Sequence, residues 1–255
     1  MSGSVRAQTT APVICAGTDV RAAGPGPLVA VLDYGIGNLH SAHKALVRLG
    51  ADARLTDDPG LIADATAVVL PGVGAFGACL DALRARQLEE PALDAIASGR
   101  PFLGICIGAQ LLFDSSEESP GARGLGVLPG AVRWLPPQVK RPQMQWNRVD
   151  PVEADDPMFA DLGERPWFYF VHSLHGVPAD SSTVAATCDY GGPVNAAFRS
   201  GNVFAVQFHP EKSATAGLGL LGNFVTSLRS PVTQAGRGRS SAGAPSLAPA
   251  NGSGT

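Results

Sequence analysis

The sequence predicts an α/β fold with a mixed, mostly parallel sheet flanked by helices. Two observations carry this. Apolar runs of strand length alternate with helical repeats through the first half of the chain, and a glycine-framed cysteine, Gly104-Ile105-Cys106-Ile107-Gly108, stands where one such run meets a helix. A βαβα order needs crossover connections, so its strands lie parallel and its helices cover both faces.

The elements follow in order. Residues 28–33 form an apolar strand, and Leu39, Ala42, His43, Leu46 and Leu49 recur at helical spacing before Gly50 stops the helix. Short strands are expected over 53–56 and 67–70, and helical segments fill 76–98 until Gly99 ends them. Pro101-Phe102-Leu103 leads into the cysteine, after which Ala109-Gln110-Leu111-Leu112-Phe113 continues as helix. The second half is richer in strands, at 131–135, 146–149, 168–171, 183–189, 194–199 and 203–208, read as an antiparallel extension of the same sheet. A last helix over 215–228 offers Leu218, Leu221, Val225 and Leu228 as its buried stripe.

With 255 residues, 45% of them hydrophobic, the chain can bury one sizeable core, assigned to a single domain over 28–230. Residues 1–27 and 231–255 are rich in small, polar, Gly and Pro residues and are expected to be a disordered leader and tail. A net charge of −3 without any Lys/Arg run gives no footprint for nucleic acid or an anionic membrane. No apolar stretch approaches the roughly 18 residues of a membrane span, and the first residues lack the order of a signal peptide, so a cytoplasmic location is expected. The four cysteines, Cys15, Cys79, Cys106 and Cys188, are scattered without a Cys-x-x-Cys pair. Neither a disulfide nor a metal site is expected, nor any cofactor, and Cys79 and Cys188 read as core residues.

Cys106 is different, because glycines two positions to either side allow a sharp strand-to-helix turn that presents its thiol at a helix N-terminus. About 100 residues later comes Val206-Gln207-Phe208-His209-Pro210-Glu211-Lys212-Ser213. On a strand, His209 and Glu211 would share a face, letting Glu211 orient the imidazole while His209 takes the proton of Cys106. Attack on an amide also needs donors for a developing oxyanion. Leu70-Pro71-Gly72-Val73-Gly74-Ala75-Phe76 leaves a strand through two glycines and can supply backbone N–H groups.

These segments together resemble the class I (triad) glutamine amidotransferases. Leu-Pro-Gly-Val-Gly-Ala-Phe, the opening Leu32-Asp33-Tyr34-Gly35-Ile36-Gly37-Asn38-Leu39, the Trp146-Asn147 pair, Tyr169-Phe170-Val171-His172-Ser173 and the closing His-Pro-Glu-Lys-Ser are similar to the glutaminase subunits of imidazole glycerol phosphate synthase. The resemblance spans residues 28–228 and implies a single-domain amidotransferase fold. It makes Cys106 the nucleophile, His209 the general base and acid, and Glu211 the orienting carboxylate. It also implies Val73 and Gly74 as backbone oxyanion donors, Val73 after a shift of its peptide. Gln110 and Glu118 match positions that hold the glutamine side of the substrate, with the His172-Ser173-Leu174 backbone alongside. Glu118 is chosen over its neighbour Glu117.

Asn38, Trp146, Tyr169 and Lys212 match positions that contact a (β/α)8 cyclase partner in a 1:1 heterodimer. The implied activity is hydrolysis of L-glutamine to glutamate and ammonia. The ammonia would pass to the cyclase, which makes imidazole glycerol phosphate and an aminoimidazole carboxamide ribotide in histidine biosynthesis. The chain departs from the family pattern at Gln143, Gln145, Leu174 and Ala205, none of them in the triad. Two other readings are kept: a glutaminase subunit of an anthranilate-type or pyridoxal phosphate-type synthase, and a catalytically silent binding module of the same fold.

Overall fold

A computed structural model describes residues 26–229. The expected leader and tail lie almost wholly outside the described residues, as does Cys15. The centre is an eight-stranded sheet. Its parallel half runs β2 (Asp52–Thr56), β1 (Leu28–Leu32), β3 (Ala67–Leu70), β4 (Phe102–Ile105) and β13 (Val203–Val206). Antiparallel pairing then adds β12 (Pro193–Ser200), β11 (Val184–Asp189) and the short β8 (Asp150–Pro151). β1, β3, β4 and β13 are buried at almost every position, as expected of strands covered on both faces.

Helices α1 (Leu39–Arg48), α3 (Phe76–Ala85) and α4 (Glu89–Ala97) fall where the sequence periodicity puts them. Gly50 and Gly99 follow α1 and α4 at φ of 85° and 80°, the left-handed stop that favours glycine. One helix goes unread from sequence: α2 (Pro59–Asp64) is a short turn whose Asp58 side chain accepts from the Gly60 N–H.

Three expectations are corrected. The helix after Cys106 is one turn, α5 (Ile107–Gln110), and Phe113 already belongs to strand β5 (Phe113–Ser116). The later strands do not all extend the main sheet. β5 and β6 (Leu128–Trp134) join β10 (Leu174–Pro178) in a three-stranded sheet, and β7 (Gln143–Arg148) pairs antiparallel with β9 (Trp167–His172) as a separate ribbon. In the last helix, α6 (Ala214–Ser227), Leu220, Leu221, Phe224 and Val225 are buried, whereas Leu218 and Leu228 are only half covered. With neighbours on more than one side, a helix buries a wider arc than one heptad stripe.

The ribbon is fastened over the sheet by aromatics. Phe168 stacks on Phe208 at 4.1 Å between ring centroids, and Phe170 meets the same ring edge-on at 5.6 Å. Phe208 lies two residues past the end of β13, so this packing brings β9 over the carboxyl ends of the parallel strands, where α/β sheets place their sites. Among the described residues no helix is long and apolar enough to cross a membrane.

Candidate active site

The ends of β3, β4 and β13, capped by β9 and the start of β10, enclose a cavity of about 220 Å³. It falls below the roughly 300–1,000 Å³ of drug-sized ligand sites and suits a small substrate. Cys106, Val73, Gly74 and His209 line it, together with Gln110, Glu118, His172, Ser173 and Leu174. Every residue assigned to catalysis, the oxyanion and glutamine therefore reaches this cavity except Glu211, which stands behind His209.

Cys106 sits at φ 55° and ψ −109°, a backbone geometry rare for any residue but glycine, with its N–H donating to the Val206 carbonyl at 2.8 Å. Its two glycines are there for steric reasons. A Cβ on Gly108 would lie 1.8 Å from the Leu70 carbonyl oxygen, and one on Gly104 would lie 3.0 Å from the Ala109 Cα. The elbow therefore closes only with both hydrogens in place. Because α5 is a single turn, no long helix dipole stands behind the thiol.

His209 and Glu211 are paired, but not by strand alternation. β13 ends at Val206, and Pro210–Lys212 form a 3-10 turn that curls the carboxylate back onto the ring, with His209 Nδ1 2.8 Å from Glu211 Oε1. Both side chains are almost fully buried, at 1% and 2% exposure. Among the described residues His209 Nε2 has no hydrogen-bond partner and faces the cavity side of the ring. Burial opposes a charged imidazole, yet the neighbouring Cys106 and the bond to Glu211 outweigh it and hold the His209 pKa above the ordinary histidine value. The ring beside Cys106 therefore holds its proton more tightly than a free imidazole.

Sequence reasoning missed Gln207. Fully buried, it places Nε2 3.8 Å from the Cys106 sulfur, and its Oε1 accepts from Gln110 Nε2 at 2.9 Å. Its position two residues before His209 was the available signal. Gln110 also donates to the Leu174 carbonyl at 3.1 Å, tying α5 to the start of β10. Glu118 accepts from the Phe76 N–H at 2.8 Å at the start of α3, beside the oxyanion loop. Glu117 turns away, to Arg133 and the Trp134 N–H.

His172 is held at both ring nitrogens, Nδ1 2.7 Å from the Leu174 carbonyl and Nε2 2.9 Å from the Gln143 side chain. Burial lowers its pKa to about 4, so the ring is neutral and Nδ1 donates. A neutral ring accepts at Nε2, which is satisfied if the Gln143 amide presents its NH₂ there. The role of His172 is thus to fix the substrate-side strand. His175 is half-buried on β10 and accepts from the Asn195 N–H.

Of the proposed interface residues, Trp146 and Tyr169 are cross-strand neighbours on the outer face of the β7–β9 ribbon, with rings 6.2 Å apart. Lys212 is exposed beside the triad turn. Asn38 reaches inward, its Nδ2 donating to Glu211 Oε1 at 3.3 Å.

A family model described as "Glutamine amidotransferase class-I" matches residues 30–228. The chain is 52% identical over 203 residues to the imidazole glycerol phosphate synthase subunit HisH of Synechococcus elongatus, covering 78% of this chain and 93% of that one. The chain belongs to the HisH family of class I glutamine amidotransferases. The HisH subunit of Salinibacter ruber is 49% identical over 204 residues, with 77% and 93% covered. Among solved structures, PurLQS from Thermotoga maritima matches the fold with a TM-score of 0.63 at 22% identity, covering 80% of this chain and all of that one. This HisH-family chain is therefore a glutamine amidotransferase, an enzyme, and its mostly parallel sheet is the fold of that class.

Proposed function

We propose that the chain hydrolyses L-glutamine through a Cys106–His209–Glu211 triad and delivers the ammonia to a cyclase subunit in histidine biosynthesis. The observation that carries this is the buried imidazole clamped at Nδ1 by Glu211, with Nε2 left unpaired beside the cysteine of the elbow. The Cys106 thiolate attacks the carboxamide carbon of glutamine, and the carbonyl electrons move onto oxygen, where the N–H groups of Val73 and Gly74 stabilise them. Neither N–H donates to another backbone group among the described residues. His209 protonates the nitrogen as the C–N bond breaks, leaving a glutamyl thioester and ammonia. Water, deprotonated by His209, then releases glutamate. Gln110, Glu118 and the 172–174 backbone hold the rest of the substrate.

The partner is a (β/α)8 cyclase in a 1:1 complex, which turns the ammonia into imidazole glycerol phosphate and aminoimidazole carboxamide ribotide. The outer face of the β7–β9 ribbon supports this reading. Met144, Trp146 and Trp167 are 62%, 45% and 49% exposed there, a concentration of large apolar side chains that marks a docking face. Lys212 and Asn38 belong to the same contact. The folded unit is 28–230, and the enzyme works in the cytoplasm.

Steady-state kinetics with and without the cyclase and its nucleotide ligand test the assignment. If the Val73 peptide must shift to complete the oxyanion hole, the isolated chain turns over glutamine slowly, and the partner raises kcat far more than it lowers KM. Equal kcat in both conditions would mean a free-standing glutaminase.

A further inference from the structure

The oxyanion loop carries three successive carbonyls whose surroundings differ. The Pro71 carbonyl accepts from Tyr34 Oη at 2.7 Å, and the Val73 carbonyl accepts from Cys79 Sγ at 3.2 Å. The Gly72 carbonyl between them accepts no backbone hydrogen bond among the described residues. Tyr34 and Cys79 approach from the buried side, at 2% and 0% exposure, while Gly74 at the loop tip is exposed.

A peptide plane moves as a unit, its C=O and the next N–H pointing opposite ways. Holding the Val73 carbonyl therefore holds the direction of the Gly74 N–H, and holding the Pro71 carbonyl fixes the plane that enters Gly72. The Gly72–Val73 plane, which carries the Val73 N–H, is left unheld. We infer that Tyr34 and Cys79 are positioning residues that clamp the oxyanion loop on both sides, so that the Gly74 amide is a fixed donor and rotation is confined to the peptide carrying the Val73 N–H. This rests on the proposed glutamine hydrolysis.

Two further observations agree. A Cβ on Gly72 would stand 2.4 Å from Tyr34 Oη, so glycine is what lets the hydroxyl pass beneath the loop to Pro71. Burial pushes the Cys79 thiol up to about 11 and raises the Tyr34 hydroxyl above its ordinary value, so both stay protonated donors across the working pH range.

The test uses the chain with its cyclase and compares Tyr34→Phe, Cys79→Ala and Cys79→Ser with the unaltered protein in two reactions of Cys106. Glutamine hydrolysis builds charge on oxygen. Alkylation by iodoacetamide does not, because sulfur displaces iodide from a saturated carbon. A donor aimed in advance costs no reorganisation in the transition state, whereas outright loss of an oxyanion donor costs roughly 10²–10³-fold. Loosening its mount is expected to lower kcat about tenfold, the scale of one net hydrogen bond. KM and the rate of Cys106 alkylation, followed by peptide mass mapping, stay unchanged, and Cys79→Ser restores kcat because its hydroxyl donates. Unchanged kcat in Tyr34→Phe and Cys79→Ala, or alkylation falling together with kcat, would overturn the clamp. Absence of glutamine hydrolysis by the unaltered complex would instead remove the triad reading, and the clamp with it.

Discussion

Cys106→Ala abolishes glutamine hydrolysis, by at least about 10⁴-fold, since triad members act as a unit and removing the nucleophile leaves only binding and the oxyanion donors. The fold survives, because Cys106 is 3% exposed on a tight turn and loss of one sulfur opens little space. On the proposed reading the cyclase reaction does not use this sulfur. Synthesis by the complex from added ammonia therefore continues at the unaltered rate, and measuring both reactions on one preparation separates the chemistry from the fold. Substantial hydrolysis in the variant would exclude Cys106 as nucleophile.

The second large effect lies in the ranking of its two partners. His209→Ala removes the only ring that moves the proton, whereas Glu211→Gln still offers an oxygen to Nδ1 at the 2.8 Å contact. Loss of an orienting carboxylate is roughly two orders of magnitude gentler than loss of the base. Asn38, 3.3 Å from Glu211, keeps a donor near that side chain in either variant. With the cyclase present and glutamine saturating, kcat falls far more for His209→Ala. The opposite order would mean that the two roles are exchanged.

Four of the five strands in the parallel half, β1, β3, β4 and β13, were legible from sequence because each is a short continuous run of apolar residues and glycine. The same rule failed at Leu111-Leu112-Phe113, where a short apolar run does not distinguish one helical turn followed by a strand from a longer helix. Sheet membership in the second half was beyond reach, because β6, β7 and β9 carry strand patterning but nothing in a strand names its neighbour. At the candidate site, the place of Cys106 and His209 on one cavity was legible in turn chemistry and in the His-x-Glu motif. Gln207, Tyr34 and Cys79 were not legible, since their roles depend on contacts 101, 37 and 6 residues away in the chain. Glu211 reaches the expected partner, His209, through a 3-10 turn and not through strand alternation.

The backbone of Cys106 has a thermodynamic consequence. A non-glycine residue at φ 55° and ψ −109° stores on the order of 1–3 kcal/mol of strain, held by the surrounding sheet. Glycine normally destabilises relative to alanine through the entropy of the unfolded chain, but at this position the sign inverts. Of two dead enzymes, Cys106→Gly should melt a few degrees above Cys106→Ala, at roughly 2–4 °C per kcal/mol for a domain of this size. Calorimetry on the pair decides it, and an alanine variant melting higher would show the turn to be relaxed. On the proposed reading, catalysis and heat resistance thus compete for a single residue.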